Sequence, residues 1–189
     1  MRRFMEFQAA VEHLYNHQDQ LHGWNHAQSV VANAKCIFNQ VDFDIDIDIL
    51  LTAALLHDLH YSVEKNSKLV SYIAERKICA RVTRQVLEKF GQTFTAREQA
   101  IIVQAVYNHP FSFPFRNLNK SNDYYSQILQ DADTMEFFNP LRAPKFVHTV
   151  DNFVINLIRK AAWVSHRYFL KYVDPFLNLQ DSKICCHCD

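Results

Sequence analysis

Leu50 to Tyr61, LLTAALLHDLHY, is the stretch that most constrains the fold. Ile47, Ile49, Leu50, Leu51, Ala53, Ala54, Leu55 and Leu56 leave almost no polar face, and a helix apolar all round belongs inside a protein. This helix runs straight into His57-Asp58. Burying a carboxylate costs on the order of several kcal/mol unless something pairs with it. A divalent cation is one such partner; a plain hydrogen-bonded His-Asp pair is the bland alternative. The dipeptide alone does not decide between them, so the decision rests on what other ligands the chain carries.

With 189 residues, 49% of them hydrophobic, the chain suits one domain with a sizeable core. Two Gly and five Pro are too few for the tight turns of a small-stranded fold, so long helices with short connections are expected. Lys+Arg and Asp+Glu both number 20, which gives no gross-charge signal for nucleic acid. No apolar run reaches the ~18 residues of a membrane span, and the N-terminus MRRFMEFQAAVEHL is amphipathic rather than signal-like. A soluble, cytoplasmic protein with no membrane partner is the expectation; the oligomeric state is not legible. Cys36 and Cys79 stand singly in apolar helical contexts and read as small buried hydrophobes. Cys185, Cys186 and Cys188 crowd a tail with His187, read as flexible and redox-sensitive. The division expected is a helical domain over 1–180 and a Cys-rich flexible tail over 181–189.

Phe4, Phe7, Val11 and Leu14 recur at helical spacing and predict a first helix from 3 to about 20. Asn25 is expected to cap a second helix, from Ala27 to about Phe38, with His26 in its first turn. VDFDIDID reads as a loop that ends in an Asp46 or Asp48 cap. Residues 66–79 and 80–90 read as two helical segments ending near Gly91. Thr95 caps the next helix, which stops at His109 because Pro110 cannot continue it. FSFPFRNLNKSND is a long aromatic loop and a candidate lid: Phe111, Phe113 and Phe115 pack either on the body, pinning the loop to the core, or on a ligand whose phosphate Arg116 would meet. Tyr124 to Phe138 is helical and carries Asp131-Ala-Asp133, and a last helix is expected from about Lys145 to Val173.

His26, His57, Asp58 and Asp133 stand out together, on largely apolar helices. His57 and Asp58 project about 100° apart on a helix, so one ion fits the wedge between them. Two imidazoles with two carboxylates suit a divalent ion such as Mn, Fe, Co, Ni or Zn, with Mg also open, and leave coordination positions for water and a substrate oxygen.

This order of His, His-Asp and Asp, with the HD dipeptide ending AALLHDLHY, the NSKLVSYIAERK stretch after it and the QDADTME segment, resembles the HD-domain superfamily of metal-dependent phosphohydrolases. The resemblance covers roughly residues 20–140. It implies an all-α fold, a single compact helical domain of the HD-domain type, with Asp133 as the last ligand. It also implies hydrolysis of a phosphate ester of a nucleotide or other small metabolite. The members acting on 5′-deoxynucleotides carry Glu where this chain has Tyr61, and those acting on guanosine alarmones carry Glu-Asp at Tyr61-Ser62, so neither activity carries over. The binuclear members add His ligands between the HD and the last helices. Here no His lies between His60 and His109, which favours a single ion.

Within that reading Asp58 or Asp133, each also a ligand, holds the water's proton through its second carboxylate oxygen. His109 and His60 are candidate general acids, and Glu64 is a candidate base acting through water. Lys68, Arg76, Arg116 and Arg142 are the cations available to a phosphoryl group. Asp131 is expected behind the ligands, orienting His26 or His57. The partner expected is a small phosphorylated substrate. A regulatory module that keeps metal or nucleotide binding with reduced turnover is the alternative, and an iron oxygenase of the same fold is less favoured.

Overall fold

In the computed structural model the described residues are 1–17, 21–64, 68–110, 121–137, 177–179 and 182; for 68–73 and 137 the description is of the backbone. They are all-α, with no strand among them. The helices are α1 (Arg2–Val11), α2 (Trp24–Phe38), α3 (Ile47–Leu56), α4 (His60–Val63), α5 (Lys68–Phe90), α6 (Ala96–Asn108) and α7 (Tyr124–Phe137), with a 3-10 turn at Glu12–Leu14. None is long and apolar enough to cross a membrane.

The hydrophobic centre is α3. Every residue from Asp48 to Leu56 is buried, and α1, α2, α6 and α7 all pack on it. Leu50, Leu51, Leu55 and Leu56 are among the largest fully enclosed side chains. Each stabilises the fold by roughly 1.5–3 kcal/mol through burial. The remaining helices pair around this rod, α2 along α7 and α5 along α6.

Local chemistry fixes the ends. Asp46 caps α3, its side chain accepting from the Asp48 N–H. Thr95 and Glu98 form a reciprocal capping box at the start of α6. Arg3 ties these starts to α1, with ion pairs to Asp46, Asp48 and Glu98. The N-terminal ammonium adds a contact to Asp48 at 2.9 Å. At Gly91 a Cβ would stand 2.6 Å from the Leu87 carbonyl oxygen, so a side chain there would press on the last turn of α5.

Several boundaries differ from those read in the sequence. The first helix stops at Val11, because the chain turns extended at Tyr15. That turn buries the Tyr15 ring and lets its hydroxyl donate to the Leu55 carbonyl. The second helix begins at Trp24, with Gly23 at the cap and Asn25 already inside its first turn. Residues 68–90 are one continuous helix rather than two. Cys36 is half-buried and disulfide-bonded, not a free small hydrophobe, whereas Cys79 is free and buried. Residues 111–120 of the proposed lid, the helix expected over 145–173 and the cysteines of the tail lie outside the described residues.

Candidate metal centre

Four elements deliver four ligand atoms to one place. His26 sits in the first turn of α2, His57 follows the last turn of α3, Asp58 lies in the turn after it, and Asp133 stands on α7. His26 Nε2 and His57 Nε2 are 3.0 Å apart. Asp58 Oδ2 is 3.4 Å from His26 Nε2 and 3.5 Å from His57 Nε2. Asp133 Oδ1 is 3.5 Å from the first and 3.6 Å from the second. Ligand–metal distances of about 2.0–2.2 Å around a common centre place neighbouring ligand atoms roughly 3.0–3.5 Å apart. The donor set and its spacing therefore fit a divalent ion.

The supports of the cluster point the same way. His57 Nδ1 lies 2.8 Å from the Ala54 carbonyl oxygen and must donate to it, which leaves Nε2 facing inward. Burial opposes charge on this ring, but Asp58 and Asp133 outweigh it and hold its pKa at about 9. Burial likewise opposes ionisation of Asp58 and Asp133. The neighbouring imidazoles overcome it, chiefly His57, and hold both carboxyls well below the usual range. A proton on this nitrogen would compete with a cation bound there.

The other expected site residues are dispersed. His109 reaches the cluster: its Nε2 is 3.5 Å from Asp58 Oδ1, and its Nδ1 donates to the Val106 carbonyl at 2.5 Å. His60 is buried with its Nδ1 3.2 Å from Cys79 Sγ, and burial lowers its pKa to about 4. Glu64 is engaged by Arg81 of α5 at 2.6 Å, outside the ligand groups. Arg76 lies over the Tyr107 ring, 5.7 Å from its centroid. Lys68 begins α5, its side chain beyond the description, and Arg116 and Arg142 fall outside the described residues.

Asp131 departs from its expected role. Its carboxylate accepts from the backbone N–H groups of Asn178 and Leu179 and from the side chains of Asn178 and Ser182, at 2.6 to 2.9 Å. It anchors Asn178, Leu179 and Ser182 to α7 instead of orienting His26 or His57. Two neighbours of the centre went unread in the sequence. Tyr61 donates to Glu75 Oε1 at 2.9 Å, and the His22 ring stacks on Tyr61 with centroids 4.1 Å apart. A carboxyl group therefore stands beside the position where a Glu was looked for, but it comes from α5. Cys79 was the second. A lone Cys in an apolar helix carries no sign of facing a His and an Asp.

A family model, the HD domain, matches residues 23–137, well over half the chain, and the protein belongs to the HD-domain family. No curated protein and no solved structure matches the chain.

Proposed function

We propose that this HD-domain protein hydrolyses a phosphate ester of a nucleotide or another small metabolite, using a divalent ion held by His26, His57, Asp58 and Asp133. The observation that carries the reading is the meeting of these four side chains, with ligand atoms 3.0 to 3.6 Å apart. A bound ion supplies Lewis-acid activation of water and of a phosphoryl oxygen.

The remaining chemistry belongs to the chain. Asp58 has a second oxygen, Oδ1, turned toward His109 and available to hold a proton of the attacking water. The two imidazoles are enclosed, so substrate approaches from the side of Asp58 and Asp133, the more exposed pair. The Tyr61 hydroxyl, oriented by Glu75, offers a polar contact to the substrate, and the stacked His22 ring offers a flat face. The absence of a carboxylate at position 61 argues against the nucleotidase and alarmone specificities and leaves the ester class open.

The test is a panel of phosphomonoesters and phosphodiesters, nucleotide and non-nucleotide, presented to protein reconstituted with Mn²⁺, Co²⁺, Ni²⁺ or Zn²⁺. Metal-dependent release of phosphate from one class supports the reading. Verified metal loading with no release across the panel favours the regulatory alternative.

A further inference from the structure

Asp58 faces two ways. Its Oδ2 joins the His26 and His57 nitrogens, while its Oδ1 lies 3.5 Å from His109 Nε2. His109 Nδ1 is committed to the Val106 carbonyl, so in the neutral ring Nε2 presents a lone pair to a carboxylate oxygen. That contact becomes favourable with a proton on Nε2 or with a cation between the two atoms. Cys79, from α5, completes the place: its Sγ, an Asp58 oxygen and a His109 nitrogen all lie within 4.8 Å of one another, and all three residues are buried.

Packing explains why Cys79 is buried but not what it faces. Its helix neighbours Ile78 and Val82 are core residues. Yet its sulfur meets His60 Nδ1 at 3.2 Å as well as the Asp58–His109 pair. His60 Nε2 is buried with no hydrogen-bond partner. An Nδ1–H of His60 that donates to the sulfur leaves only a lone pair at Nε2, and the sulfur's other side faces Asp58 and His109. Burial pushes the free thiol's pKa well up, so a thiolate in this place requires a cation on it.

We infer that Asp58 Oδ1, His109 Nε2 and Cys79 Sγ form a second cation subsite, in which Cys79 binds as thiolate and selects Zn²⁺ or Co²⁺ over Mg²⁺ or Mn²⁺. The inference rests on the metal reading of the first centre, with which it shares Asp58. As the metal–sulfur bond forms, the thiol proton leaves to solvent. Metal–sulfur and metal–nitrogen distances of about 2.3 and 2.0–2.1 Å put such ligand atoms roughly 3.3–3.8 Å apart. The Asp58 and His109 atoms already stand 3.5 Å apart, and the sulfur belongs to the same group within 4.8 Å. His60 then holds the sulfur from behind, as an outer hydrogen-bond donor. In this arrangement His109 is a ligand, not the general acid, and Asp58 Oδ1 binds the second ion, so holding the water's proton passes to Asp133.

The experiment is a Co²⁺ titration of the metal-stripped full-length chain, reading bound equivalents and the near-ultraviolet thiolate-to-cobalt absorption. Wild type should bind two equivalents, one of them raising that band. Cys79→Ser and Cys79→Ala, checked for folding by circular dichroism, should each lose one equivalent and the Cys79-dependent band while keeping the other. Thiols elsewhere in the chain are unchanged in these variants, so only the difference counts. Cobalt-edge X-ray absorption on wild type should show a sulfur scatterer, and its absence overturns the inference without recourse to a variant. One equivalent in wild type, or an unchanged band in both folded variants, also overturns it while leaving the first centre intact. No bound cobalt at all would overturn the metal reading of both.

Discussion

His26 and His57 meet Nε2 to Nε2 at 3.0 Å, across the packed faces of α2 and α3. Two neutral imidazoles turned lone pair to lone pair would repel, and the Nδ1 of His57 is already committed to the Ala54 carbonyl. The contact is favourable with a shared proton or a shared cation, and Asp58 and Asp133 close the other edges of the same polyhedron. The behaviour expected of this protein follows from that competition.

Metal affinity should depend steeply on pH. Unfolded His57 titrates near 6.5, and the folded chain holds it at about 9. Protonation therefore stabilises the ion-free fold fully below 6.5, and that contribution is lost as pH rises through 9. The ion needs the same nitrogen unprotonated, so its affinity runs the opposite way, rising by about tenfold per pH unit where one proton is displaced and flattening above 9. Competition against a chelator of known pH behaviour reads this directly; an affinity flat between neutrality and pH 9 would exclude proton displacement at His57.

Chelation should destabilise the chain. Removal of an ion present at about 100 times its Kd withdraws ~2.7 kcal/mol, which in a domain of this size lowers Tm by about 5–10 °C. Calorimetry before and after stripping, with metal content verified, measures the change. An unmoved Tm would mean the carboxylates are balanced without the ion.

Asp131→Ala should separate stability from metal. The buried carboxylate accepts four hydrogen bonds from Asn178, Leu179 and Ser182. Unpaired buried donors cost about 1–3 kcal/mol each, less where water reaches them. Denaturant unfolding should show a loss of at least that size, with metal stoichiometry unchanged. Loss of metal at unchanged stability would instead place Asp131 behind the ligands, as first expected.

Tyr61→Phe keeps the ring that stacks on His22 and removes the bond to Glu75. Once a substrate class is known, kcat/KM should fall by about tenfold, the worth of one hydrogen bond to a charged group, with bound metal unchanged. Equal kinetics for the two proteins would make the Tyr61–Glu75 bond structural only.

Much of this was legible because apolar periodicity and a few polar interruptions reinforce each other. An all-apolar α3 could only be central, and the polar residues at its end had to be paired. The caps at Asp46 and Thr95 follow from side chains that accept hydrogen bonds from local backbone. What stayed hidden was set by tertiary contact. Tyr15 turns extended after the 3-10 turn that follows α1, and its hydroxyl meets the Leu55 carbonyl, far off in sequence. Asp131 and Asp133 are two residues apart on one helix, and only the packing of α7 shows that they face different neighbours. Cys79 reads as a hydrophobe until α5 is laid beside His60 and His109.

The most direct measurement is the anomalous scattering of a crystal grown with Mn²⁺. The expected result is a peak about 2.1–2.2 Å from His26 Nε2, His57 Nε2, Asp58 Oδ2 and Asp133 Oδ1, absent in crystals of Asp133→Ala. A Mn²⁺-loaded crystal with no peak among these four atoms, or an undiminished peak in the variant, would contradict a metal centre built by them.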